Sequence, residues 1–130
     1  MQKLPAVVGL KVCHEAIVQE TTRNVTMVNC FRELSFASFP APARPFVACA
    51  VLTDGKGEGE LSLAITELDD LADIWNESWP ITMTDMLKEV WYVLPVSGCV
   101  FRSPGRYQVS LSVDGDWLAQ TTLRISKKGE

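Results

Sequence analysis

Cys13 and His14 are the one place in the chain where a thiol and an imidazole adjoin. Such a pair is a nucleophile when the imidazole can take the thiol proton. The flanking residues alternate as in a strand, so adjacent side chains leave on opposite faces and the two cannot act on each other. Cys13, His14, Cys30, Cys49 and Cys99 form a second candidate set, as zinc ligands. None of them lies in a C-x-x-C knuckle, and each ligand would have to come from a separate strand. Asp69, Asp70 and Asp73, or Asp114 and Asp116, could hold calcium at a loop, yet carboxylates of this kind are ordinarily solvated turn formers. No two carboxylates are placed by spacing on one buried face, which leaves general acid–base chemistry without a candidate. The sequence therefore predicts no catalytic residue, no metal site and no cofactor.

The apolar residues say more. An exposed sheet face should alternate apolar with polar. Phe46–Leu52 (FVACAVL) and Val90–Leu94 (VWYVL) do not alternate. Either the Pro-rich crossover of Ser38–Pro45 covers their outer faces or a partner does. The expected interaction surface is Phe46, Val47, Cys49, Val51, Trp75, Trp79, Val90, Trp91 and Tyr92. The expected function is a non-catalytic protein-interaction or self-associating module, with a homo-oligomer or protein partner. The alternative is a small-molecule or carbohydrate-binding module that stacks its ligand on Trp75, Trp79 or Trp91.

These residues must be carried by strands. Tyr107, Val109, Leu111 and Val113 alternate with Gln108, Ser110 and Ser112, a period of two. Ser103-Pro104-Gly105 turns into this strand and Asp114-Gly115 turns out of it. An odd loop, the three residues Asp114 to Asp116 or a five-residue one, is expected; the three-residue form would pair Val113 with Trp117, Leu111 with Ala119, Val109 with Thr121 and Tyr107 with Leu123. It would send Trp117 inward and Leu118 outward. Upstream, Val8–Val18 and Val25–Leu34 read as a first hairpin, and the prolines of Ser38–Pro45 as a crossover outside any ladder. Phe46–Leu52, Leu61–Ile65 and Leu87–Leu94 read as further strands. Leu71–Met83 suits either a strand or a short helix, and Pro80 favours the strand. The sum is about eight strands and no helix. The expected fold is all-β: a two-sheet antiparallel sandwich in one domain, residues 1–130. The P-G-x-Y turn with its V-x-L-x-V and D-G resembles the closing hairpin of immunoglobulin-like sandwiches.

The chain has 130 residues, 12 basic and 16 acidic side chains and a net charge of −4. With no basic footprint in that sum, nucleic acid is excluded as an expected partner. No apolar run is long enough to span a membrane. The run Leu4–Leu10 is broken by Pro5 and followed by Lys11, so it does not read as an export signal. Free buried thiols in a reducing compartment are expected, hence a cytoplasmic protein. The succession of Cys13-x-x-Ala16, Phe39-Pro40-Ala41, a G-x-G-E loop at Gly57–Glu60 and the terminal hairpin is similar to a family of small uncharacterised bacterial proteins. That resemblance implies a bacterial protein and supplies no catalytic residues.

Overall fold

The closing hairpin is the spine of the molecule. In the computed structural model, which describes residues 1–129, β10 (Gly105–Val113) pairs with β11 (Asp116–Lys127). Tyr107 faces Leu123, Val109 faces Thr121 and Leu111 faces Ala119. Beyond Leu111 the expected register fails. Asp114 and Gly115 form a two-residue turn with φ of 51° and 83°. Positive φ at both positions is the hairpin turn whose twist matches the strands it joins. A β-bulge between Leu111 and Ser112 then absorbs the odd residue, so Ser112 faces Trp117 and Val113 faces Asp116. Trp117 is therefore outward and 58% exposed, while Leu118 packs against the core. The expected inward Trp117 is corrected. Parity was satisfied by one extra residue in the strand rather than one in the loop.

Nine further strands precede this hairpin: β1 (Ala6–Val18), β2 (Val25–Cys30), β3 (Glu33–Phe36), β4 (Ala41–Pro42), β5 (Phe46–Thr53), β6 (Gly57–Glu67), β7 (Ala72–Met83), β8 (Val90–Val96) and β9 (Val100–Phe101). The described residues are thus all-β, with eleven strands and no helix. The expected eight missed β4 and β9, of two residues each, and ran β2 and the start of β3 together as one strand, Val25–Leu34, whereas the two lie in different sheets. Runs that short show no period. Leu71–Met83 resolves to a strand, and its Pro80 sits on a sheet edge, where a missing N–H leaves no gap in a ladder. The proline-rich crossover does enter a ladder briefly, through Ala41 and Pro42 against β9.

Three sheets result. One has the order β2-β1-β5-β8, one β3-β11-β10-β6-β7, and β4 pairs with β9. All pairings are antiparallel except β3 with β11, which is parallel. Alternation in each strand sends one set of side chains into a common core. Leu10, Val12, Ala48 and Leu52 enter it from the four-stranded sheet. Leu63, Ile65, Val109, Leu111 and Leu123 enter it from the five-stranded sheet. Tyr107 and Phe101 meet edge to face within it, ring centroids 5.0 Å apart.

Candidate functional site

The side of the four-stranded sheet turned away from this core carries the candidate site. Directly opposite residues of an antiparallel pair share a face. Gly9 faces Val51, which faces Trp91; Lys11 faces Cys49, which faces Val93; Cys13 faces Val47, which faces Pro95. These rows carry only one charge, on Lys11. Val8 beside them is 58% exposed and Trp91 41% exposed. On the adjoining hairpin Ile17 and Val28 are also exposed.

A cleft of about 230 Å³ opens on this face, with walls from Val8, Gly9, Met27, Cys49, Val51 and Trp91. Lys11 and Glu89 stand at its rim. Met27 belongs to β2, two strands from β5 and three from β8. In a flat sheet it would lie about 14 Å from Trp91, at about 4.8 Å per strand. Its place in the same small cleft means that the β1–β2 hairpin curls over the outer face. That curl answers part of the question raised by the unbroken apolar run in β5. Cys49 and Val51 are 2% and 7% exposed although they point away from the core. Gly9 makes room: a methyl group placed there would touch nothing within 4 Å.

The nine residues expected at an interaction surface divide into three sets. Val47, Cys49, Val51 and Trp91 lie together on the outer face. Phe46 is buried in the core, and Val90 and Tyr92 pack against it. Trp75 and Trp79 are on β7, opposite Ile65 and Leu61, at the edge of the other sheet. The Trp75 indole N–H donates to the Ser97 carbonyl at 2.8 Å. The three tryptophans therefore do not form a row. Val8, Gly9 and Met27 were missed; a register bulge between Val7 and Gly9 turns Val8 outward, out of step with simple alternation.

Cys13 lies on the outer face and His14 on the other, stacked 4.6 Å from Phe31. His14 borders a second cleft of about 390 Å³ with Phe31, Phe46, Arg44 and Lys128. No carboxylate lines it. The four cysteines are free. Burial pushes the Cys49 thiol up to about 12 and that of Cys99 up to about 11. Among the described residues no three His, Cys, Asp or Glu side chains gather as a metal would need. No helix is long and apolar enough to cross a membrane, which says nothing of a β-barrel.

A buried polar corner, unforeseen in the sequence, lies where β6 meets the turn before β10. Glu67 is 5% exposed and accepts from Ser103 Oγ at 3.1 Å and Arg102 Nη2 at 3.3 Å. The parity of Leu61, Leu63 and Ile65 points Glu67 inward, and that was the available signal.

The family model of a family of unknown function, DUF6941, matches residues 10–126. The chain belongs to that family. The match takes in every strand of this DUF6941 protein except the first residues of β1 and the last of β11. No curated protein matches the chain. Among the solved structures that match is the Pseudomonas fluorescens alkylpurine DNA glycosylase AlkC bound to DNA containing an abasic site analog, similar over 90% of the chain. The identity is 10% and the TM-score 0.47, and the chain spans 30% of that protein. So distant a likeness assigns no ligand to this chain, and the expectation that excluded nucleic acid is corrected on its own premise. The exclusion rested on a summed charge, and the charges are segregated. Residues 57–87 carry eight carboxylates and no Lys or Arg. Arg32, Arg124, Lys127 and Lys128 lie on or beside β3 and the C-terminal end of β11, toward the edge of the five-stranded sheet opposite β7. A net charge of −4 conceals that basic side.

Proposed function

We propose that this DUF6941 protein is a non-catalytic binding module that docks a protein partner on the outer face of its four-stranded sheet. The observation that carries the reading is the apolar cleft beneath the curled hairpin, walled by Val8, Met27, Val51 and Trp91. A drug-sized ligand needs a pocket of roughly 300–1,000 Å³. A cleft of about 230 Å³ suits one apolar side chain instead. An anchor of that kind, ringed by exposed apolar groups, is how a few residues come to dominate a protein interface. Lys11 and Glu89 at the rim would orient the partner more than hold it.

The scaffold is read as an immunoglobulin-like sandwich of the two larger sheets. Two features support this. The early part of the chain is divided between the sheets, β1 pairing with β5 and β3 running parallel to the last strand. Tyr107, near the start of β10, donates its hydroxyl to the Ser103 carbonyl four residues upstream, as a tyrosine corner does. Free thiols support a reducing compartment.

The test compares surface variants. Val8→Arg and Trp91→Arg place charge at the cleft, and Thr122→Arg places it on the outer face of the five-stranded sheet. A host partner retained by the wild type and by Thr122→Arg, resistant to nuclease, and lost from the first two is expected. A partner lost only with Thr122→Arg, or only after nuclease treatment, contradicts the reading.

A further inference from the structure

Three of the four thiols meet at one point of the four-stranded sheet. Cys13 on β1 and Cys30 on β2 stand directly opposite each other. The Phe31 N–H donates to the Val12 carbonyl at 3.1 Å. That bond joins the residue after Cys30 to the residue before Cys13, which places the cysteines at a non-hydrogen-bonded position of the ladder. Facing Cα atoms there approach to about 4.5 Å. A disulfide spans Cα separations of about 4.4–6.8 Å, and the spacing of a facing pair of this kind falls within that range. Cys49 lies diagonally across from Cys13 on β5, on the same face of the sheet. Access divides the three: Cys30 is exposed, whereas Cys13 and Cys49 are 0% and 2% exposed.

We infer that Cys30 and Cys13 form a thiol–disulfide exchange site whose substrates are low-molecular-weight disulfides of the glutathione type. The Cys30 thiolate attacks one sulfur of the small disulfide, RSSR. A mixed disulfide forms at Cys30 and RS⁻ leaves. Cys13 gives up its proton to that departing thiolate and attacks the Cys30 sulfur, expelling the second RS⁻, which takes a proton from water. In sum two protein thiols and RSSR become a Cys13–Cys30 disulfide and two RSH. Only the exposed thiol can meet the substrate, and only the facing one can resolve the adduct. Burial holds the Cys13 thiol above its ordinary range, so the resolving step is the slower one and the adduct accumulates first. Cys49 remains a thiol, because burial leaves it almost no thiolate at neutral pH. This goes beyond the docking reading and does not need it.

The experiment incubates the reduced full chain with oxidised glutathione and follows intact mass with peptide mapping. A single glutathione adduct on Cys30 is expected first, followed by its loss and a Cys13–Cys30 disulfide. Cys13→Ser should keep the adduct and Cys30→Ser should form none. Cys13→Ala, of similar volume and without a hydroxyl to bury, serves as a second resolving-thiol variant and should also keep the adduct. An adduct that persists on the wild type as on Cys13→Ala, or a disulfide formed through Cys49 or Cys99, overturns the inference.

Discussion

Tyr107 and Ser103 close a small ring: the tyrosine hydroxyl donates to the Ser103 carbonyl at 2.7 Å, and the Ser103 N–H donates to the tyrosine hydroxyl oxygen at 3.4 Å. Tyr107 is 0% exposed, and Glu67 holds the neighbouring Ser103 and Arg102 side chains. Removing the hydroxyl leaves a part-buried carbonyl without a donor, a loss of about 1–3 kcal/mol. Tyr107→Phe should lower the urea midpoint accordingly with an unchanged slope. An unshifted midpoint would show that the ring does not stabilise the turn.

Asp114 makes the other tight turn pH-sensitive. The Met1 amino group and the Glu60 N–H hydrogen bond its carboxylate and hold its pKa below the ordinary value. A carboxyl whose folded pKa is depressed contributes stability that is present above the unfolded pKa and lost as pH falls through the folded one. Asp114→Asn keeps a residue that tolerates the positive φ of 51°. Its Tm should fall below that of the wild type near neutral pH, the two converging in acid below the carboxylate range. A gap that widens in acid would reverse the sign and refute the assignment.

Trp117 and Leu123 test the bulged register. Trp117 is outward and Leu123 is 0% exposed. Trp117→Ser should change stability by less than about 0.5 kcal/mol, as exposed sites do. Leu123→Ala should cost about 2–5 kcal/mol through lost burial and a cavity. Denaturant titration of the two variants decides it, and equal losses would place Trp117 in the core.

Gly9 is a strand residue with open space where a side chain would go. It costs about 0.5–1 kcal/mol in backbone entropy relative to alanine. Gly9→Val should therefore raise Tm while filling the cleft and lowering partner capture. Stability and binding moving in the same direction would mean that the opening has no role in docking.

Alternation carried most of what was legible in the sequence. The strands of β1, β6, β10 and β11, the turn at Ser103–Gly105 and the pairing of Tyr107 with Leu123 follow from a period of two and from turn residues, and β5 and β8 follow from unbroken apolar runs. Irregularities were not legible. A bulge shifts every following side chain by one face, and neither the one after Val7 nor the one after Leu111 is marked by composition. The site was half legible for the same reason. The unbroken apolar run of β5 pointed to a covered outer face, and Val47, Cys49, Val51 and Trp91 do share it. Phe46, Val90 and Tyr92 were assigned to it only because an unbroken run does not say which residues face out. Met27 was out of reach, since its place in the cleft depends on the curl of a hairpin over a sheet two strands away. The charge sum misled about nucleic acid because it averages the acidic stretch 57–87 with the basic residues gathered near β3.

The most direct measurement is side-chain oxidation footprinting of the purified chain, alone and in extract of its native host. Trp91 and Met27 should lose reactivity in the extract, while Trp117, which is 58% exposed and carried by the other sheet, should keep its own. Protection of Trp117 with Trp91 unchanged, or no change at either tryptophan, would contradict docking on the outer face of the four-stranded sheet.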